Sequence, residues 1–144
     1  MRVMLLLKGD PDAALVSDAA GIDHEKLITA MGEYGRELTK AGVLLAAEGL
    51  WPSSRGARVV YQSGQRRVVD GPFAEAKELI AGFYLLQVGS MDEAVEWAKR
   101  CPVHLAVGDT DREAVIEIRE VHDAPDATAA ELAQALRDEV TGSE

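Results

Sequence analysis

The sequence predicts a single α+β domain, and three observations support this prediction. Its 144 residues suit one domain with one hydrophobic core. A composition of 47% hydrophobic and 28% charged residues is typical of a folded globular chain and excludes a disordered one. Short apolar runs typical of strands alternate with stretches of helical periodicity, in the order strand, helix, strand, hairpin, strand, helix, strand and a final helix.

The first three elements lie before residue 51. Residues 2–8 (RVMLLLK) predict a strand buried on both faces rather than a signal peptide, because the apolar run is only five residues long. Residues 9–23 have weak periodicity and predict a long loop, of a kind that often forms part of a site above a sheet. A helix is predicted over 24–41 with Asp23 as its N-cap, and a second strand over 43–50.

A β-hairpin is predicted next in the chain. Residues 57–61 and 66–69 form its two arms about the turn at 62–65, where Ser-Gly is the turn signal. Residues 79–88 follow as the most strongly apolar strand of the chain. The hairpin is therefore an insertion between the second strand and this one.

The last third of the sequence predicts two helices and one strand. Ser90 and Glu93 form a capping box at the start of the first helix, which ends before Pro102. Residues 115–121 alternate and predict a half-exposed strand. Thr128 caps a short helix in the tail. The narrow apolar stripe of this helix consists of Leu132, Leu136 and Val140.

This order of elements is that of a ferredoxin-like split βαβ domain with an inserted β-hairpin, plus a C-terminal helix. Such a sheet carries its two helices on one face and leaves the other face apolar and uncovered. A homodimer that pairs two sheets face to face buries this surface, whereas the stripe of the tail helix is too narrow to do so alone. We expect a domain over 1–122 and an acidic tail over 123–144, whose helix alternatively packs on its own domain.

Charge and cysteine content exclude several classes of function. The net charge of −10 argues against direct nucleic-acid binding, and the tail carries six of the acids against one base. No apolar run approaches the roughly 18 residues that span a membrane, so we expect a cytoplasmic protein. The single cysteine, Cys101, and three scattered histidines offer no metal cluster. We therefore expect no metal and no cofactor, with Cys101 as a packing residue rather than a nucleophile.

The stretch 70–78 (DGPFAEAKE) resembles the signature of the YCII-related family known for its DGPF motif. Similarity continues in the flanking stretches 41–59 and 79–119, and covers residues 1–122 as a whole. Trp51 departs from the family pattern, because relatives often carry a polar residue there. Ala76 replaces a more usual threonine, and the segment 103–114 is unlike the shorter loop expected.

The resemblance implies a dimeric α/β barrel built from ferredoxin-like subunits. It implies no settled reaction, since YCII-related proteins are mostly uncharacterised. Some relatives are proposed to be enzymes through a His-Asp pair. Members with the DGPF motif are often associated with extracytoplasmic-function sigma factors.

Asp70 is the main candidate for a catalytic residue. An acid at the end of a strand, directly before a Gly-Pro turn, lies where side chains meet a cleft, and it orients a base or acts as general acid-base there. Alternatively, its carboxylate accepts the backbone N–H groups of the turn at 71–74. His104 or His24 is the expected partner if a His-Asp pair exists.

A second group of residues is the candidate ligand site. The only concentration of basic residues consists of Arg55, Arg58, Arg66 and Arg67, with no acid over 49–69. Arg58, together with Arg66 or Arg67, can lie on one side of the hairpin and bind a carboxylate or phosphate, although a charged edge that prevents aggregation explains these arginines equally well. Phe73 either stacks on a ligand or fills the core. Glu75 and Lys77, with Glu78, form either a mixed-charge rim for a polar ligand or a solvated loop.

Two functional hypotheses follow. The first is a homodimeric, cofactor-free protein that binds a small molecule, with an anion as the candidate ligand, and carries out weak acid-base catalysis in a cleft near Asp70. The second is a regulatory module without catalysis, which binds an extracytoplasmic-function sigma factor through its dimer surface or its acidic tail. Whether the protein is an enzyme stays open at this point.

Overall fold

A computed structural model describes residues 1–11, 22–108, 113–122 and 129–142. Within these ranges the chain forms an α+β fold with antiparallel strands and a C-terminal helix, as the sequence predicts. Most of the loop predicted over 9–23 and the N-cap predicted at Thr128 lie outside the described residues.

The helices and strands occur in the predicted order. They are β1 (Arg2–Lys8), α1 (His24–Lys40), β2 (Leu44–Gly49), β3 (Ala57–Gln62), β4 (Gln65–Asp70), β5 (Ile80–Gln87), α2 (Met91–Arg100), β6 (Ile116–Glu120) and α3 (Ala129–Gly142). Their ends differ from the predicted ones by no more than one residue. Hydrophobic periodicity and turn chemistry therefore determine the local structure of this chain.

The strands form two separate antiparallel sheets. Four strands lie in the order β2-β5-β1-β6, and β3 pairs only with β4. At the centre of the larger sheet, Leu5 on β1 lies between Tyr84 on β5 and Ile118 on β6. The described strands form no closed barrel, and β2 and β6 are the edges of the larger sheet.

The hydrophobic core lies between one face of this sheet and the helices α1 and α2. Side chains alternate along a strand, so this face is formed by every second residue of β1 and β5. The fully buried residues of the core are Val3, Leu5 and Leu86 from the sheet, Leu38 from α1 and Ala94 from α2. Burial of this apolar surface is the main source of stability.

Two tyrosines connect the core to the helices. The rings of Tyr34 on α1 and Tyr84 on β5 meet edge to face, with their centroids 5.3 Å apart. The Tyr34 hydroxyl donates a hydrogen bond of 2.8 Å to the backbone carbonyl of Trp97 on α2. Burial raises the pKa of both phenols, that of Tyr84 to about 12.

The opposite face of the sheet is apolar but lies outside this core. Met4 and Leu6 of β1 are directly opposite Leu85 and Phe83 of β5, and all four side chains are half-buried. Within the single chain, this second face of β1 is therefore only half-buried, whereas the sequence predicts a strand buried on both faces. Full burial requires a packed layer on each side, and within the described residues the core cluster supplies that layer on one side only.

The caps of the helices largely follow the sequence signals. The Asp23 carboxylate accepts the Lys26 N–H at 3.0 Å, as predicted for an N-cap. At α2, the Ser90 hydroxyl accepts the Glu93 N–H at 3.1 Å. The Glu93 carboxylate, however, accepts the N–H of Gly89 at 2.7 Å instead of that of Ser90, so the reciprocal bond of the capping box is displaced by one residue.

Candidate functional site

Three loops meet at the base of the hairpin. The hairpin is inserted between β2 and β5, which are neighbours in the sheet. The segment 50–56, which leaves β2, and the segment 71–79, which leads into β5, are therefore adjacent at the edge of the sheet. The end of β1 lies against the same place, because the Gly9 N–H donates to the Leu79 carbonyl at 2.9 Å. Side chains that are far apart in the sequence therefore come together here.

Ser53 forms hydrogen bonds to both of the other loops. Its backbone N–H donates to Oδ1 of Asp10 at 2.9 Å, and its hydroxyl donates to Oδ2 of the same carboxylate. The Ser53 hydroxyl in turn accepts the Phe73 N–H at 3.1 Å. Both oxygens of Asp10 thus accept hydrogen bonds from Ser53, which fix the carboxylate in this partly buried position.

Gly71 packs directly against the backbone of Ser53. A Cβ atom at Gly71 would lie 1.7 Å from the Ser53 carbonyl oxygen, so no other residue fits without displacement of one loop. The Gly71 N–H donates to the Gly56 carbonyl at 2.9 Å, and the peptide bond to Pro72 is cis. Glycine is therefore required here for a close approach between the two connections of the hairpin.

These loops enclose a groove of about 420 Å³. Its polar and aromatic lining consists of Asp10, Trp51, Ser53, Arg55, Arg58, Phe73 and Glu78. Aliphatic surface comes from Leu50, Pro52, Leu79 and Ile80. A concave surface with an apolar lining and a few converging polar groups is typical of a small-molecule site.

Two arginines in the groove stack on aromatic rings. The Arg58 guanidinium lies 3.9 Å from the centroid of Phe73, and one of its nitrogens is 3.8 Å from a carboxylate oxygen of Glu78. The Arg55 guanidinium lies 4.5 Å from the centroid of Trp51. A guanidinium has five N–H donors, so its contact with a ring leaves N–H groups for other partners.

Asp70 does not line this groove. It is exposed at the end of β4, directly opposite Ala57, and none of its side-chain atoms bonds to a described residue. The alternative of a turn cap is not observed either, because the N–H groups of Gly71 and Phe73 donate to other acceptors. A catalytic role of Asp70 stays a prediction.

The two candidate histidines lie in other parts of the fold. His24 is the first residue of α1, and His104 is exposed in the 3-10 turn Val103–Ala106, where it lines a separate cavity with Cys101. Among the described residues no hydrogen bond or shared cavity joins either histidine to Asp70. The His-Asp pair therefore also stays a prediction.

The register of the hairpin separates the candidate arginines. Arg58 is opposite Val69, while Arg66 is opposite Tyr61, over whose ring it lies at 5.5 Å. Alternation along the strands places Arg67, and not Arg66, on the same side as Arg58. Arg58 therefore lines the groove and Arg66 does not.

The remaining candidates also divide into two groups. Phe73 is half-buried and lines the groove. Its position is therefore compatible with both predicted roles, stacking on a ligand and packing in the core. Glu75 and Lys77 are exposed and lie outside the groove lining, whereas Glu78 belongs to it. The mixed-charge rim predicted for this segment is thus reduced to Glu78 and Arg58.

Cys101 is a buried packing residue. Its side chain belongs to the core cluster, and burial raises the pKa of its thiol to about 12. The thiolate needed for nucleophilic chemistry is therefore scarce at neutral pH. In the described part of the chain, no group of three or more His, Cys, Asp or Glu side chains is placed to hold a metal ion.

Sequence reasoning missed the centre of this groove. Asp10 and Ser53 are 43 residues apart, and each stands beside a proline in a segment with the pattern of an ordinary strand end. Asp10 follows the predicted first strand as Asp70 follows the fourth, so an acid at a strand end is the signal that identifies it. Trp51 and Arg55 are close in sequence, and only the turn Ser53–Arg55 brings the guanidinium over the ring.

The fold and this groove define a small α+β protein with a partly apolar groove at the base of its hairpin. Residues 1–124 match the family model of the YCII-related domain, so the chain belongs to the YCII-related family. An uncharacterised protein of Rhizobium meliloti is 33% identical over 88 residues, which cover 61% of this chain and 71% of that protein. None of the helices described here is both long and apolar enough to cross a membrane.

Replacement of Gly71 by alanine tests the close approach between the loops. We expect Gly71→Ala to lower the free energy of unfolding by about 1–3 kcal/mol, because the new Cβ overlaps the Ser53 carbonyl. Gly35→Ala is the control, since a Cβ added at Gly35 inside α1 meets nothing within 4 Å, and it gains up to about 1 kcal/mol. Urea unfolding measures both, and a Gly71→Ala protein as stable as the wild type contradicts the geometry.

Replacement of Ser53 tests its hydrogen bonds. Ser53→Ala leaves the Phe73 N–H without its acceptor and removes one donor from Asp10, so we expect a loss of about 1–3 kcal/mol in urea unfolding. Ser54→Ala, in the same turn but exposed, changes stability by less than about 0.5 kcal/mol. Equal stability of the two variants would show that Ser53 does not connect the loops.

Proposed function

We propose that the protein is a homodimeric, cofactor-free, cytoplasmic small-molecule-binding protein, and that its ligand is a small organic anion bound in the groove at the base of the hairpin. The observation that carries this proposal is the position of Arg58 and Arg55 in one groove beside Trp51 and Phe73. Arginine recognises carboxylate and phosphate through paired N–H donors. Stacking on a ring restricts each guanidinium before a ligand arrives.

The groove supports binding more directly than catalysis. Of its two carboxylates, Asp10 accepts two hydrogen bonds from Ser53, and Glu78 lies 3.8 Å from Arg58. Neither His24 nor His104 belongs to its described lining. We therefore propose acid-base chemistry by Asp70 separately from binding in the groove. Asp70 lies at the end of β4, three residues before Phe73. This chemistry requires a ligand that extends beyond the groove.

The topology of the larger sheet supports a ferredoxin-like subunit. The strand order β2-β5-β1-β6 is that of a split βαβ fold, with α1 and α2 as its two crossing helices and the hairpin as an insertion. We propose that two such sheets pack through the apolar faces formed by Met4, Leu6, Phe83 and Leu85, as in a dimeric α/β barrel. The domain then corresponds to residues 1–122 and the acidic tail to 123–144.

The oligomeric state tests this dimer. In sedimentation equilibrium we expect a dimer for the whole chain, and a dimer for residues 1–122 as well. Leu85→Lys should give a monomer, because it places a charge in the middle of the apolar face. Ile28→Lys, at a position that is 72% exposed on α1, should remain dimeric. A monomeric wild type contradicts the proposal, and a dimer that is lost only with the tail assigns the interface to α3.

Ligand binding tests the groove. We expect millimolar acetate and phosphate to shift amide resonances of residues around Ser53 and Phe73. Arg58→Gln should weaken binding by about tenfold, since a charge-assisted hydrogen bond contributes about 1.5–3 kcal/mol. Arg66→Gln is the matched control on the other side of the hairpin and should bind as the wild type does. Shifts that are absent, or equal losses in both variants, would place the ligand elsewhere.

A second candidate function is that of a regulatory module for an extracytoplasmic-function sigma factor. The observation that favours it is the exposure of Leu132 and Leu136 on α3, at 37% and 55%, since an amphipathic helix with an exposed stripe commonly docks into a partner's groove. A purified extracytoplasmic-function sigma factor from the same organism should then bind the whole chain and not residues 1–122. Equal binding by both contradicts docking through the tail.

A further inference from the structure

Two arginines of the described chain lie over tryptophan rings at the same distance. Arg55 lies 4.5 Å from the ring centroid of Trp51 in the groove, and Arg100 lies 4.5 Å from that of Trp97 on α2. The two pairs differ in what surrounds them. The Arg100–Trp97 pair therefore serves as a reference for the surroundings of the Arg55–Trp51 pair.

The second stack is completed by a carboxylate of the protein. A guanidinium nitrogen of Arg100 is 2.7 Å from a carboxylate oxygen of Glu37 on α1, and Trp97 is half-buried. Arg55, in contrast, forms no ion pair with any described residue, and Trp51 is 72% exposed. Among the described residues, the groove therefore presents an arginine over a tryptophan ring with no ion-paired carboxylate on the arginine and little cover on the ring.

The chemistry of the missing groups follows from those present at the second stack. The in-plane N–H groups of Arg55 match the two oxygens of a carboxylate. An exposed indole beside Leu50 and Pro52 offers apolar surface to a flat, apolar body, and contacts between aromatic rings add about 0.5–1.5 kcal/mol beyond the area that they bury. A ligand with both features satisfies Arg55 and covers Trp51 at the same time.

The charge of the groove limits the charge of the ligand. Arg58 already has Glu78 at 3.8 Å, and Asp10 is a second carboxylate in the lining of the same groove. Arg55 is thus the one arginine of the described lining that forms no ion pair with a described carboxylate. A single negative charge fits this balance, whereas a polyphosphate would face two carboxylates.

We propose, on the basis of the function proposed above, that the groove binds an aromatic monocarboxylate. The carboxylate binds the guanidinium edge of Arg55, and the ring covers the exposed part of Trp51. Arg55 and Trp51 then determine specificity, while Arg58 contributes to the affinity for anions in general.

Trp51 is also the reporter for the experiment. The chain has two tryptophans, so a Trp97→Phe protein carries Trp51 alone. We expect benzoate to change its fluorescence saturably and to bind at least about fivefold more tightly than cyclohexanecarboxylate, which has the same charge and a similar size but no aromatic ring. Calorimetry on the unaltered chain should give the same order of affinities.

Two matched variants assign the effect to the proposed residues. Arg55→Gln should weaken benzoate binding by at least about tenfold, because it removes the charge-assisted hydrogen bonds to the carboxylate. Arg100→Gln removes the arginine of the reference stack and should leave benzoate binding unchanged. Both arginines are exposed, so circular dichroism should show folded proteins in each case.

The outcomes separate this inference from the function that it rests on. Equal binding of benzoate and cyclohexanecarboxylate, or an Arg55→Gln protein that binds benzoate normally, overturns the aromatic monocarboxylate. The proposed anion site survives that result if acetate or phosphate still binds in a manner that depends on Arg58. Absence of binding by all four anions overturns both.

Discussion

The arrangement of the hairpin on the sheet depends on the hydrogen bonds and the close contact of one residue, Ser53. Its hydroxyl and N–H donate to Asp10 at the end of β1, and the hydroxyl accepts the Phe73 N–H from the loop after β4. Its carbonyl leaves no room for a side chain at Gly71. Since β3 and β4 pair only with each other in the described sheets, these loops provide the main contacts that position the hairpin. The groove is the space that this arrangement leaves.

The same arrangement determines which charged groups face the groove. Arg55 ends the short turn that begins at Ser53. Arg58 is the second residue of β3, on the side of the hairpin that lines the groove. Each guanidinium lies over a ring, and such contacts contribute only about 0.5–1 kcal/mol at exposed sites. Their main effect is therefore orientation rather than stability. Two oriented cations lie beside aromatic surface, and for this reason the geometry favours the proposed binding of an organic anion.

The sequence predicts the elements well because their signals are local. Asp23 caps α1, and Ile116 and Ile118 alternate with polar residues on β6, so the ends and faces of these elements follow from a few neighbouring residues. The site depends on contacts across the chain, which no local pattern contains. The sequence favours Asp70 because it ends a strand within a recognised motif. The hairpin register, however, places Asp70 opposite Ala57, on the other side of the strands from Arg58, and only the packing of the hairpin shows which side faces the groove.

A crystal structure of the protein grown with benzoate tests the central claim most directly. The account predicts benzoate in the groove, with its carboxylate within hydrogen-bonding distance of the Arg55 guanidinium, its ring against Trp51, and the hydrogen bonds between Ser53, Asp10 and Phe73 unchanged. Benzoate bound in the cavity beside His104, or a groove closed by movement of the hairpin while benzoate binds in solution, would contradict it.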